Sequence, residues 1–266
     1  MIQLICIDVD GTLVGTSGSV LPGVWAAAEQ ARAAGVRLAI CSGRPAFGLA
    51  RQYASRLDGD GWHVFQNGAS VVSAATGQSM SKVMPPALVD MLVARARSTG
   101  HILELYTDTD YAVESDSDRA RRHASLLGIP FTGRPFASVA GQVVRAQWLL
   151  AQEDTAAVLA MPHPGLELSP STSPIMPDTI FVNTTVEGVN KATAVRAVAE
   201  EYGISLDDVM FVGDGHNDLG AMRAVGVAVA MGNAETELHE VAAHRVSHVD
   251  EGGLIEALEL ALGGSR

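Results

Sequence analysis

The chain of 266 residues is 47% hydrophobic and 18% charged, which describes a globular protein long enough for one large domain or two ordinary ones. Asp and Glu number 30 against 18 Lys and Arg, a formal net charge of −12, so neither nucleic acid nor an anionic membrane is the expected partner, although a local basic pocket can still hold a phosphate. No apolar run reaches the roughly 18 residues of a membrane span and no basic leader opens the chain; Cys6 and Cys41 lie in apolar runs without metal-ligand spacing, so they read as buried free thiols of a cytoplasmic protein.

In chain order, residues 2–7 form an apolar strand that ends in "DVDGT", and "VWAAAEQARAAG" at 24–35 is an Ala-rich helix stopped by a glycine. "VRLAICSG" is a second buried strand, "PAFGLARQYASRL" a second helix and "WHVFQNG" a third strand. This alternation predicts a doubly wound parallel sheet with helices on both faces, and functional residues at the C-terminal ends of its strands. Asp8, Asp10, Ser42 and Asn67 all fall there.

From residue 84 the grammar changes. A proline-opened helix, "PPALVDMLVARARSTG", precedes "HILELYTD" and "YAVES", which alternate like an antiparallel ribbon. The charged helix "SDRARRHASLLG", the segment "AQWLLAQE", a short helix "DTAAVLAM", an irregular loop over 169–178 and the strand "TIFVNTTV" complete an α+β unit assigned to residues 84–180. Residues 1–83 and 181–266 then form one discontinuous α/β core. "KATAVRAVAEEYG" is helical, "DVMFVGDG" a strand running into a turn, "NDLGAMRAVG" helical, "VAVAM" a strand and "GGLIEALELALGG" a closing helix. Spacing agrees with an insertion: Asp10 and Ser42 are 32 residues apart, whereas 149 separate Ser42 from Lys191, far more than two strand–helix connections require.

Four polar clusters stand out: Asp8 with Asp10, Ser42 with Arg44 in "CSGRP", Lys191 at a helix start, and Asp214, Asn217 and Asp218 in "GDGHND". Each alone is unremarkable surface chemistry. Together, three carboxylates at strand ends repel one another unless a cation joins them, and hard oxygen ligands beside a phosphate suit Mg²⁺. A carboxylate nucleophile approaches a phosphoryl group only where metal, lysine and hydrogen-bond donors offset the charge. Ser42, Asn217, Lys191 and the backbone N–H groups near Gly11 and Gly43 are such donors, a full set for forming and hydrolysing an aspartyl-phosphate.

The pieces "DVDGTL", "CSGRP", "QNGA", "GVNKATAV", "FVGDGHND", "AMRAVGVAVAMGNA" and "VDEGGLIEALE" resemble the haloacid dehalogenase (HAD) superfamily, specifically its Cof-type phosphatases with a type IIB cap inserted after the second motif. The resemblance implies a Rossmann-like core and a cap at 84–180 that selects the substrate. It implies that Asp8 attacks phosphorus and that Asp10 acts as general acid, then base. Asp8, Asp214 and the Asp10 carbonyl would bind Mg²⁺, Ser42 and Lys191 would hold the phosphoryl oxygens, and Asn217 would orient the phosphate. Asp218 would support the metal or Lys191, Thr12 would brace the loop, and Arg44 and Asn67 would line the entrance. Two departures from the family pattern are Asn190 and Ala192, where relatives often carry a serine and a glycine around the lysine, and "FVNTTVEG", which lacks the acidic and proline residues often found there.

Rival readings have specific weaknesses. A dinucleotide-dependent oxidoreductase needs G-x-G-x-x-G, but in "FVGDGHNDLG" the third glycine is displaced and Asp214 and Asp218 would repel a pyrophosphate. A zinc hydrolase built on His239, His244 and His248 lacks the i, i+4 pair, since the first two are five apart. A non-catalytic binding protein would have lost Asp8, Asp10 or Lys191. A phosphosugar mutase of the same superfamily shares the whole constellation; hydrolysis is preferred because the Cof-type pattern runs to the C-terminus. The expected substrate is a small phosphate monoester: a sugar phosphate, nucleotide or phosphorylated cofactor. Arg119, Arg121 and Arg122 are either an exposed basic helix face or a second anion site. The oligomeric state is left open.

Overall fold

The computed structural model describes residues 1–173 and 175–263. Pro174, within the expected loop, and Gly264, expected to close the last helix, lie outside the described residues. The chain divides into two compact units: residues 1–44, 50–80 and 190–266, and residues 45–49 with 81–189.

The first unit holds, in chain order, β1 (Leu4–Ile7), α1 (Pro22–Ala33), β2 (Arg37–Ile40), α2 (Leu49–Leu57), β3 (Trp62–Phe65) and β4 (Ser70–Ser73). In the second lie α3 (Pro86–Thr99), β5 (Ile102–Tyr106), β6 (Tyr111–Val113), α4 (Asp118–Leu127), β7 (Arg145–Leu150), α5 (Gln152–Ala160), β8 (Leu166–Ser171) and β9 (Ile180–Val186). The chain then completes the first unit with α6 (Lys191–Tyr202), β10 (Val209–Gly213), α7 (Leu219–Ala224), β11 (Val227–Ala230), α8 (Thr236–Val241), β12 (His244–Arg245) and α9 (Gly253–Gly263).

The first unit is an α/β core on a parallel sheet of order β12-β11-β10-β1-β2. Residues Leu4 to Ile7 of β1 are all fully buried, as a central strand covered on both faces requires. Period-2 alternation sends Leu4 and Cys6 into one core layer with Val195 and Val198 of α6, Met222 of α7 and Leu238 of α8. On the other face α1 packs against α9 and β2. Each fully buried Leu or Ile in such a layer contributes about 1.5–3 kcal/mol of transfer free energy.

The expected third strand differs in its continuation. β3 meets the edge of β2 at the Cys41–Val64 bridge, outside the regular ladder, and then pairs antiparallel with β4. Residues 66–68 make the reversal: Gln66 and Asn67 take φ of 54° and 56°, and Gly68 takes 102°. Helix α2 starts at Leu49, later than "PAFGLARQYASRL" suggests. Residues 45–49 belong to the second unit, where the Phe47 ring stacks on Tyr106 and Tyr111 with centroids 6.4 and 6.3 Å away.

The second unit is a five-stranded antiparallel sheet of order β6-β5-β7-β9-β8. Leu103, Leu105, Trp148 and Val182 fill one layer together with Leu92 and Ala96 of α3 and Val158 of α5. Two expectations are corrected here. Residues 169–171 of the loop expected over 169–178 belong to the edge strand β8, in which Pro170 is tolerated as proline is at sheet edges. Strand β9 pairs with β7 and β8, so the compact unit runs to residue 189 and not to 180. Of the three arginines, Arg121 pairs with Asp116 and Arg122 with Asp118 and Asp178, while Arg119 donates to the Asp178 carbonyl. Among the described residues no helix is long and apolar enough to cross a membrane.

One buried polar group ties β2 to β3. His63 is fully buried; its Nδ1 accepts from the Ile40 N–H at 3.1 Å, which leaves Nε2–H to donate to the Asp58 carbonyl at 2.9 Å. Burial pushes the imidazole down to about 4, against the partly compensating Asp58 carbonyl. The folded-state value lies below the unfolded one, so His63 leaves stability intact above pH 6.5 and removes it as pH falls toward 4. Urea denaturation should show the stability advantage of the wild type over His63→Gln shrinking by about 2–3 kcal/mol between pH 7 and 4.5; a constant difference would contradict this.

Candidate active site

The C-terminal ends of β1, β2 and β10 and the N-terminus of α6 bring the sequence-selected residues together within the first unit. Lys191 is the first residue of α6, behind the cap Asn190, whose Oδ1 accepts from the Thr193 N–H while Thr193 Oγ1 accepts from the Asn190 N–H. This reciprocal cap lets an asparagine start the helix where relatives often carry serine. The turn at 66–68 packs on the same point: a Cβ on Gly68 would stand 2.2 Å from the Asn190 carbonyl oxygen. Only glycine fits there, at a φ that L residues rarely adopt.

The Lys191 ammonium is 1% exposed and donates to Asp8 Oδ1 at 2.5 Å and to Asp218 Oδ1 at 2.6 Å. Asp218, also buried, uses its second oxygen to accept from the backbone N–H groups of Asp214 and Gly215. Asp218 is thereby filled by lysine and backbone, whereas among the described residues no donor is bonded to Asp8 Oδ2. Asp214 accepts from the buried Thr12 hydroxyl at 2.8 Å. Gly11, at φ 86°, gives Asp214 its room, since a Cβ there would stand 2.1 Å from Asp214 Oδ2.

Burial pushes the Asp8 carboxyl well above the usual carboxylate range; Lys191 opposes this, and Asp218, Asp214 and Asp10 add to it. Burial also raises Asp214, to about 7, with Asp218 reinforcing and the Thr12 hydrogen bond opposing. Burial disfavours the Lys191 ammonium, but Asp218 and Asp8 outweigh it and hold the amine above its ordinary value. One lysine therefore serves a carboxylate cluster that carries more negative charge than it can balance.

The other selected residues form a second chain of contacts. Arg44 donates through Nε and Nη2 to the two carboxylate oxygens of Asp10 at 2.9 and 2.5 Å. The Arg44 N–H donates to Ser42 Oγ at 3.1 Å, and the Asn67 N–H to the Ser42 carbonyl at 2.9 Å. Asn217 Nδ2 donates to Asn67 Oδ1 at 3.0 Å, and a Cβ on Gly43 would touch the same Asn67 amide. Ser42 is fully buried, whereas Asn217 is exposed.

Among the described residues the group whose carboxylates could share an ion is Asp8, Asp214 and Asp218, with ligand oxygens within 4.8 Å of one another. An all-oxygen donor set with surplus negative charge fits a hard divalent cation. The Asp10 carboxylate is turned to Arg44 and is not part of this group. His239, His244 and His248 form no such group among the described residues. Sequence reasoning gave no role to Asn233, whose Nδ2 donates to the Gly11 carbonyl at 2.8 Å and to Asp214 Oδ2 at 3.3 Å. Its signal was a polar side chain in "MGNA", directly beyond β11, the neighbour of β10.

The sequence matches the haloacid dehalogenase-like hydrolases over residues 5–140 and 170–258. The chain belongs to this family. It is therefore an enzyme of the hydrolase class. Over 278 residues it is 27% identical to a Bacillus subtilis protein named "Putative phosphatase YxeH", covering 98% of this chain and 99% of the relative. A haloacid dehalogenase-like hydrolase of Bacteroides thetaiotaomicron superposes with a TM-score of 0.85 at 24% identity, over 98% of this chain and 99% of that one. The HAD subclass IIB sugar phosphatase BT4131 does so with a TM-score of 0.80 at 22% identity, over 97% of this chain and 98% of its own. The two superpositions show the shared fold.

Removing the central cation tests the electrostatics. Lys191→Met leaves Asp8 and Asp218 buried without their ammonium and should destabilise the metal-free protein by about 3–5 kcal/mol at pH 8. The loss should be smaller at pH 5, because burial raises the Asp8 carboxyl and favours its neutral form as pH falls. Urea titration at both pH values reads this directly, and an equal loss at both would contradict it.

Proposed function

We propose that this hydrolase is a Mg²⁺-dependent phosphatase that cleaves small phosphate monoesters through a phosphoryl group carried on Asp8. The observation that carries the reading is the buried Lys191 bonded to Asp8 on one side and Asp218 on the other, beside an Asp214 held by Thr12. Asp8 and Asp214, with the Asp10 carbonyl, are the residues that would hold Mg²⁺, whose charge lets an anionic nucleophile meet an anionic phosphoryl group.

Lys191 occupies Asp8 Oδ1 and so presents Oδ2 to phosphorus. As the Asp8–phosphorus bond forms and the ester P–O bond breaks, the leaving oxygen takes a proton from Asp10. Water then attacks phosphorus, yields its proton to Asp10 and restores Asp8 as a carboxylate. Arg44 takes one hydrogen-bonding site on each oxygen of Asp10, and the second lone pair of each stays open to the proton. Ser42, Lys191 and Asn217 hold the phosphoryl oxygens together with backbone N–H groups near Gly11 and Gly43, the Gly11 N–H itself being given to the Val14 carbonyl at 3.0 Å; Asp218 keeps Lys191 in place, and Asn67 orients Asn217.

All of these groups address the phosphoryl end of a substrate. Selection of the alcohol end falls to the inserted unit, and sugar phosphates, nucleotides and phosphorylated cofactors are the substrate classes; the sugar phosphatase among the structural relatives puts sugar phosphates first. A panel of phosphate monoesters, read by released inorganic phosphate, should include at least one that is hydrolysed with Mg²⁺ and not with EDTA. Asp8→Asn should lower that rate by about 10³-fold or more. Inactivity on the whole panel, or full activity of Asp8→Asn, would overturn the reading; isomerised sugar phosphate without phosphate release would make the enzyme a mutase.

A further inference from the structure

We propose that Asn233 is a positioning residue that sets the affinity of the carboxylate cluster for its divalent cation by locking Asp214 to the Asp10–Gly11 loop; this rests on the metal-dependent reading above. Its amide makes three contacts to three segments. Nδ2 donates to the Gly11 carbonyl at 2.8 Å and to Asp214 Oδ2 at 3.3 Å, and Oδ1 accepts from the Val249 N–H at 2.9 Å. The Val249 contact fixes which way the amide faces, because only an oxygen can accept there, so both donor hydrogens are aimed at the site.

The contacts matter because of what they join. Asp214 follows β10, and Gly11 lies one peptide beyond Asp10 on the loop after β1. Gly11 and Asp214 approach so closely that a Cβ would fill the gap, and without a clamp two acid-bearing loops at this distance would separate under their mutual repulsion. Thr12 donates to Asp214 Oδ1 and Asn233 to Oδ2. Both are neutral donors, so they orient the carboxylate without satisfying its charge, which stays available to a cation. Lys191, by contrast, neutralises what it touches.

The support continues outward. The Glu235 N–H donates to the Asp214 carbonyl at 3.0 Å, so the 233–235 segment grips backbone as well as side chain. Val249 lies in a turn whose next residue, Asp250, accepts from the Thr16 N–H at 3.0 Å and from the Thr16 hydroxyl at 2.6 Å. The loop after β1 is therefore tied to the same turn at both Gly11, through Asn233, and Thr16. Such an amide ranks with the outer partners of metal ligands, whose loss weakens binding about 10–100-fold.

Mn²⁺ binding, followed by the electron paramagnetic resonance signal of the free ion, tests this without turnover. Asn233→Ala should bind Mn²⁺ at least tenfold more weakly than the wild type in buffer without denaturant, where circular dichroism shows both to be folded, even though loss of three hydrogen bonds lowers its urea midpoint. Asn233→Ser, which keeps a donor, should recover part of the loss. In phosphate release, the Mg²⁺ concentration for half activation should rise while the substrate KM at saturating Mg²⁺ stays within twofold. Should Asn233→Ala fail to fold, Asn233→Ser carries the comparison and should still bind Mn²⁺ more weakly than the wild type. Affinity within twofold of the wild type in a folded Asn233→Ala, or in Asn233→Ser where Ala does not fold, would overturn the role of Asn233 alone; a wild type that binds no Mn²⁺ would overturn the metal-dependent reading as well.

Discussion

The site depends on one buried ammonium standing between two buried carboxylates. Lys191 reaches Asp8 and Asp218 at hydrogen-bond distance with 1% of its surface exposed. Its desolvation is tolerable only because both partners are fixed and the remaining lone pairs are used. Asp218 is fixed by two backbone N–H groups, Asp8 by the end of β1, and Lys191 by a capped helix start against a glycine that admits no side chain. Most of the conspicuous local features of the first unit, from the left-handed turn at 66–68 to the Gly11 loop, serve this juxtaposition.

The same constraint explains the excess of negative charge. Asp8 and Asp214 both sit above the usual carboxylate range because burial and neighbouring acids work against ionisation and one lysine is shared among them. A cluster that invites a proton also invites a cation, and its oxygen-only donors select a hard one. Neutral clamps from Thr12 and Asn233 hold it open to that ion. Arg44 plays a different part: it fixes the outlying Asp10 carboxylate, one strand end away, so that the two aspartates of "DVDGT" face separate partners.

Much of this was legible in the sequence, for physical reasons. Buried parallel strands announce themselves as unbroken apolar runs, and polar residues directly after them, such as Asp8, Ser42 and Asp214, stand out by contrast. Partnerships across the sheet were not legible. Nothing in "CSGRP" says that the arginine grips Asp10, and nothing in "MGNA" says that the asparagine meets Gly11, because both depend on where distant strand ends lie side by side. Short antiparallel pieces were also hidden: "SVVS" is too brief to show alternation after the reversal at Asn67, and Pro170 disguised an edge strand as loop. "TIFVNTTV" reads plainly as a strand, yet its sheet is decided by pairing with β7, which no local pattern carries.

The most direct measurement is the identity of the residue that bears phosphate during turnover. The protein, acid-quenched while cleaving an active monoester, is reduced with borohydride and its peptides are weighed by mass spectrometry. A substrate-dependent conversion of Asp8 to homoserine, with Asp10, Asp214 and Asp218 unchanged, is the expected result. Conversion at another aspartate would contradict the placement of Lys191 and Asp8 at the centre of the chemistry, as would none at any aspartate in wild-type samples quenched at intervals across the first turnover.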